Sequence, residues 1–133
     1  MASILRVNTL TDASSNNSIA TSFIAQGSAK SWVNFNGTGT IAARDSLNLS
    51  SLDDNGTGLY DTNFSSAFAT VNFAQTAICG NENSNATTNL TARGYCGTTT
   101  TTSAGVEMHY TNAGGTQSTD QSHNAVKYHG DLA

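Results

Sequence analysis

Proline is absent from this 133-residue chain, and charged side chains make up only 11% of it. An average soluble domain carries roughly 25%. Only two lysines and two glutamates occur, so strong helix formers are scarce and long helices are not expected. No run of about 18 apolar residues is present, which excludes a membrane-spanning helix and leaves no expectation of membrane insertion. Basic charge is short as well. Five Lys plus Arg against nine Asp plus Glu give a net charge of −4, the wrong sign for a surface that tracks nucleic-acid phosphates. The opening residues, MASILRVNTLTDASSNN, hold one Arg but no apolar stretch of about 7–15 residues, so no secretory signal is expected.

What fills the chain instead is small and polar. Thr (20), Ser (16), Asn (15) and Gly (12) account for 63 of the 133 residues. Such a composition can mean disorder, but disorder goes with few aromatics, high net charge and abundant Pro, Glu or Lys. Here there are ten aromatics and a modest charge, and the apolar residues fall in short alternating runs. A folded chain is expected. Leu, Ile, Val and Phe together number only 23, a lean supply for one core, so further burial by subunit association is expected too.

Alternation of period two marks the strands. Residues 3–9 (SILRVNT) and 18–25 (SIATSFIA) are two such runs, separated by the turn chemistry of TDASSNN. In 29–35, Ala29, Ser31, Val33 and Phe35 face one way and Lys30, Trp32 and Asn34 the other. Asn36-Gly37 then predicts a two-residue type I′ hairpin leading to a partner strand over 40–44. A turn at 53–56 (DDNG) makes a second hairpin with the strand over 58–64. One helical turn is expected at 65–68, and the longest strand at 69–79. Weaker strands follow at 87–96, through the five threonines of 98–102, at 106–110 and at 126–128. About eight to ten short strands with frequent turns point to an all-β, compact sandwich-like domain.

Catalytic and metal chemistry find little purchase. The three histidines show neither an H-x-H nor an H-E-x-x-H spacing, and metal ligands must converge on one atom. Ordinary surface or interface histidines are expected, with no metal and no cofactor. Cys79 and Cys96 lack the other ligands of a zinc site; whether they pair is left open, though thiols of a cytoplasmically assembled protein stay reduced. No placed pair of carboxylates appears among Asp45, Asp61, Glu82, Glu107 and Asp120, and Asp53 and Asp54 are explained by their turn. No G-x-S-x-G, P-loop or dinucleotide fingerprint occurs. The chain is therefore not expected to be an enzyme. Seven N-x-[ST] sequons follow from the abundance of Asn, Ser and Thr.

Recognition is the better fit. Trp32 can anchor a core or a subunit interface, or stack on a sugar. The loop over 80–89 and the stretch 97–103 carry small polar side chains suited to adaptable hydrogen bonding, and loops on a rigid β scaffold commonly carry function. Candidate partner-contact residues are Trp32, Asn81, Asn83, Asn85, Tyr95, Thr99 and Thr101.

Residues 4–14 (ILRVNTLTDAS), 29–40 (AKSWVNFNGTGT), 54–58 (DNGTG), Asn63-Phe64 and 129–133 (HGDLA) together resemble tail-fibre-like virion proteins of marine bacteriophages, including cyanophages. The resemblance covers the first half and the C-terminus, about 80 residues, and leaves 80–105 unmatched, as suits a variable surface. It implies an N-terminal segment (1–25) that associates around a threefold axis and attaches to the particle, with Leu5, Val7, Ile19 and Phe23 as candidate attachment residues. A β-rich tip (26–133) would follow. The expectation is a homotrimeric short tail fibre or fibre tip in the virion, assembled in the host cytoplasm. It would contact other virion proteins and a host-surface glycan or protein. The alternative is a capsid decoration protein that stabilises the head.

Overall fold

A computed structural model describes residues 6–15, 17–80, 91–112 and 114–133. The chain is all-β apart from one short helix. Its elements are β1 (Thr9–Thr11), β2 (Ser18–Ala20), α1 (Thr21–Gly27), β3 (Ser31–Asn36), β4 (Ala42–Leu47), β5 (Leu49–Gly56), β6 (Leu59–Phe64), β7 (Ala74–Gly80), β8 (Thr91–Thr99), β9 (Ser103–Asn112), β10 (Gly115–Ser118) and β11 (His123–His129). Two antiparallel sheets face each other. One has the order β4-β3-β11-β7. In the other, β9 is the hub: β8 pairs along one edge, while β6 (to Ser103–Glu107) and β10 (to His109–Asn112) share the opposite edge, with β5 outside β6.

The core is built from the inward residues of these strands. On β3, Ser31, Val33 and Phe35 are buried and alternate with half-buried Trp32, Asn34 and Asn36, the two-residue period that the sequence displays. Tyr60, Thr62 and Phe64 of β6, Ala104, Val106 and Met108 of β9, and Asn124, Val126 and Tyr128 of β11 meet them between the sheets. Phe64, Phe68, Phe73 and Tyr128 form an aromatic cluster at one end, with Phe64 edge-on to Phe68 (4.9 Å) and to Tyr128 (5.0 Å). Buried hydroxyls are bonded, as burial demands: Thr62 Oγ1 donates to Ala104 O at 3.0 Å and meets the Tyr128 hydroxyl.

Loops are tied down by two devices. Gly58, at φ +70°, packs where β6 gives way to β10; a Cβ there would lie 2.5 Å from Met108 O. Its amide donates to Asp120 Oδ1 at 2.7 Å, and the Tyr60 hydroxyl bonds the same oxygen at 2.8 Å. The turn, the β10–β11 loop and the core are thereby joined at one carboxylate. Burial, with Asp120 adding its bond and its charge, holds the Tyr60 hydroxyl well above the ordinary tyrosine pKa. Burial does the same for Tyr128.

Several local expectations are corrected. Residues 21–25 are helical rather than extended: α1 has no strand to pair with, and its Ser28 amide closes on Ile24 O at 3.1 Å. The β3–β4 connection is not a two-residue turn. It is a loop of residues 37–41, in which Asn36 Oδ1 accepts from Thr38 N and Gly39 takes the positive φ. Asp53 and Asp54 lie inside β5, and the second hairpin turns at Thr57-Gly58 instead. Residues 65–68 form bends and a bridge, Phe68 to Leu132, not a helical turn. β9, with ten residues, exceeds β7, with seven: β9 pairs with β8 along one edge and with β6 and β10 along the other, whereas β7 pairs with β11 along one edge. Asn48, at φ +54°, turns the chain from β4 in one sheet to β5 in the other.

Candidate interaction site

The two outward faces of the sandwich differ in chemistry. On the β5-β6-β9 side, Asp53 and Asp61 stand directly opposite each other, a like-charge pairing that is unfavourable by itself. Amides hold them: Asn63 Nδ2 donates to Asp53 Oδ2 and to Ser51 Oγ, and Asn55 Nδ2 to Asp61 Oδ2, each at 2.9 Å. Glu107 Oε2 lies 3.1 Å from His109 Nε2, within hydrogen-bonding distance. This face is polar and acidic.

The outward face of β4-β3-β11-β7 is different. Strand register sets Leu47, Trp32, Lys127 and Thr76 in one row, and Asp45, Asn34, Ala125 and Ile78 in the next. Trp32, Asn34, Thr76, Ile78, Ala125 and Lys127 surround a shallow concavity of about 790 Å³, with Gly94 of β8 at its β7 edge. Lys127 is the one charged side chain among its described lining residues. Asn34 Nδ2 lies 2.9 Å from His123 Nε2, and Arg44 Nη1 lies 3.3 Å from His123 Nδ1, so a polar rim closes one end. The flanking apolar residues stay in water: Ile78 is 64% and Leu47 47% exposed.

The N-terminal residues form a third surface. β1 and β2 make a hairpin of three-residue strands that runs into the seven-residue α1. No described residue before Ser31 is buried. Val7, Leu10, Ile19, Phe23 (68%) and Ile24 are all exposed. Hydrogen bonds inside the arm are local, such as Thr21 N to Asn8 O at 2.9 Å. The expected segment boundary at residue 25 falls within α1.

Among the anticipated contact residues, Trp32 lies in the concavity. Thr99 and Thr101 are half-buried and sit at the β8–β9 turn, where Thr101 O accepts from Phe68 N at 2.8 Å. Thr98, Thr100 and Thr102 are the exposed threonines there. Asn81, Asn83 and Asn85 lie outside the described residues, as does the side chain of Tyr95, whose backbone belongs to β8. Of the anticipated attachment residues, Val7, Ile19 and Phe23 are exposed on the arm, and Leu5 lies outside the described residues. Ile78, Leu47 and Lys127 were not singled out by sequence. Their signal, apolar or charged residues on the solvent side of otherwise polar strands, becomes visible only with the register.

Cys79 is buried with its Sγ 3.6 Å from His109 O, and Cys96 is exposed. Among the described residues no group of three or more His, Cys, Asp or Glu converges on a metal position. No helix among them is long and apolar enough to cross a membrane. The geometry defines a class, a two-sheet antiparallel β-sandwich with an unpacked apolar arm. Comparison with protein-family models, with curated proteins and with solved structures finds no match.

Proposed function

We propose that this chain is a non-enzymatic structural protein of a bacteriophage particle, a short tail fibre or fibre tip that assembles as a homotrimer and contacts the host surface. The observation that carries the reading is the division of the molecule: a sandwich with its own core, preceded by an arm whose five large apolar side chains among the described residues all lie in water. Full burial of each such side chain is worth about 1.5–3 kcal/mol, so an arm of this kind gains its order from an assembly. The resemblance of residues 4–14, 29–40 and 129–133 to phage tail-fibre-like proteins supplies the kind of assembly. In this reading the arm trimerises and attaches, and the β8–β9 connection, repeated three times, presents polar groups whose weak contacts add through avidity.

The test is the copy number of the chain per purified virion, measured by quantitative mass spectrometry against the major capsid protein. A small multiple of three supports a tail position. Hundreds of copies would overturn it in favour of capsid decoration. A second measurement addresses host contact. Purified chain added before infection should compete with particles for adsorption, and absence of competition at saturating chain would remove the receptor role.

A further inference from the structure

We infer that the N-terminal arm of one copy of this chain docks in the Trp32–Ile78 groove of a second copy, so that the subunits join head to tail. The inference rests on the trimer reading above and specifies which surfaces meet.

Nine large apolar side chains are exposed among the described residues, and seven belong to two surfaces. Val7, Leu10, Ile19, Phe23 and Ile24 project from the arm; Leu47 and Ile78 flank the groove whose floor holds Trp32 and Ala125. Each surface lacks what the other supplies. The arm has no second layer to pack on among the described residues. Its strands of three residues and helix of seven are too short to persist unsupported. The groove is concave, about 790 Å³, and lined mainly by apolar atoms. Four strands at about 4.8 Å spacing make a face roughly 14 Å across, wide enough for one helix of about 10–12 Å diameter.

Described arm residues 6–15 and 17–27 are enough chain to cover a groove lined by ten residues. The arm does not fill its own groove: Phe23 stays 68% and Ile78 64% exposed. Only residues 28–30 separate α1 from β3, and Lys30 N is bonded to Tyr128 O at 2.9 Å, at the start of the sheet. Because arm and groove are different patches, the contact is heterologous, and three such contacts close a ring.

The experiment uses the full chain and two single variants. Phe23→Asp spoils the arm and leaves the groove intact; Ile78→Asp spoils the groove and leaves the arm intact. Both positions are more than 60% exposed, so neither variant should unfold the sandwich, which circular dichroism verifies. Light scattering should find the unmodified chain trimeric and each variant monomeric. Mixed in equal amounts, the two variants should form a dimer and no trimer, since only one arm–groove pair per couple survives. Trp32, the single tryptophan, should be several-fold less accessible to a neutral quencher in the trimer than in either variant.

A trimer that survives Ile78→Asp but not Phe23→Asp would overturn the inference, placing arm against arm, and would leave the trimer reading standing. A monomeric unmodified chain with a shielded Trp32 would overturn it in favour of the chain's own groove. A monomeric chain with an open Trp32 would remove the trimer reading itself.

Discussion

The arm and the sandwich handle apolar residues in opposite ways. In the arm, described residues 6–27 include Val7, Leu10, Ile19, Phe23 and Ile24, and every one is at least 39% exposed. In the sandwich, Val33, Phe35, Tyr60, Phe68, Val106, Met108, Val126 and Tyr128 are at most 2% exposed. Apolar content is not what separates them. A hairpin or a helix has one apolar side and needs a second layer to cover it; β3, β6, β9 and β11 cover one another, and the arm's elements have no second layer among the described residues. The change falls at residues 28–30, between α1 and β3.

Truncating side chains on either side of that division should separate the two regions most sharply. Phe35→Ala removes a fully buried ring packed edge-on to Tyr60 at 5.0 Å, and should cost about 3–5 kcal/mol in urea-induced unfolding. Phe23→Ala should leave the unfolding free energy of the dissociated chain within about 0.5 kcal/mol. Equal losses at the two sites would break the comparison.

Glycines in the sandwich offer a graded version. Gly58 and Gly39 both have positive φ, but a Cβ at Gly58 would collide with Met108 O whereas Gly39 faces open space. Gly39→Ala should cost about 1 kcal/mol from backbone strain alone, and Gly58→Ala clearly more, measured by thermal unfolding. Comparable in size is Tyr60→Phe, which removes one of the two bonds to Asp120 Oδ1 and the contact of the hydroxyl with Gly37 O at 3.2 Å. A loss of about 1–2 kcal/mol is expected.

Alkaline pH should read out the core alone. The folded pKa values of Tyr60 and Tyr128 are raised above the ordinary 10.0, chiefly by burial. Below about 10 both states hold the protons and stability is constant with pH. Above it, the unfolded chain ionises these phenols while the folded chain does not, so stability falls. Tyrosinate absorbance should show Tyr60 and Tyr128 resisting ionisation above pH 10 in the folded chain. Ionisation of these two at the ordinary tyrosine pKa in the folded protein would contradict the burial.

Much of the sandwich is legible in the sequence because alternation reports a half-buried strand directly. The runs 31–35 and 106–108 place Val33, Phe35, Val106 and Met108 inward, as in the structure. Turns are read less well. Both the DDNG string and the Asn36-Gly37 pair carry turn chemistry, yet β5 runs through Gly56 because β6 pairs with it as far as Leu59, and Asn36 caps a longer loop. The run SIATSFIA fits either period over so few residues, and the absence of a partner strand decides for helix after Ala20. The groove is the least legible feature. Trp32, Lys127 and Thr76 come from three strands far apart in the chain, and only their cross-strand register makes them neighbours. Trp32 drew attention by its chemistry; Ile78 had no such mark.

The central claim, that the arm serves assembly while the sandwich folds by itself, is tested most directly by the solution mass of the full chain beside that of a chain starting at Ser28. The account predicts a trimer for the first. For the second it predicts a monomer whose cooperative unfolding is unchanged in midpoint when compared with a dissociated Phe23→Asp chain. A truncated chain that remains trimeric, or one that no longer folds, would contradict it.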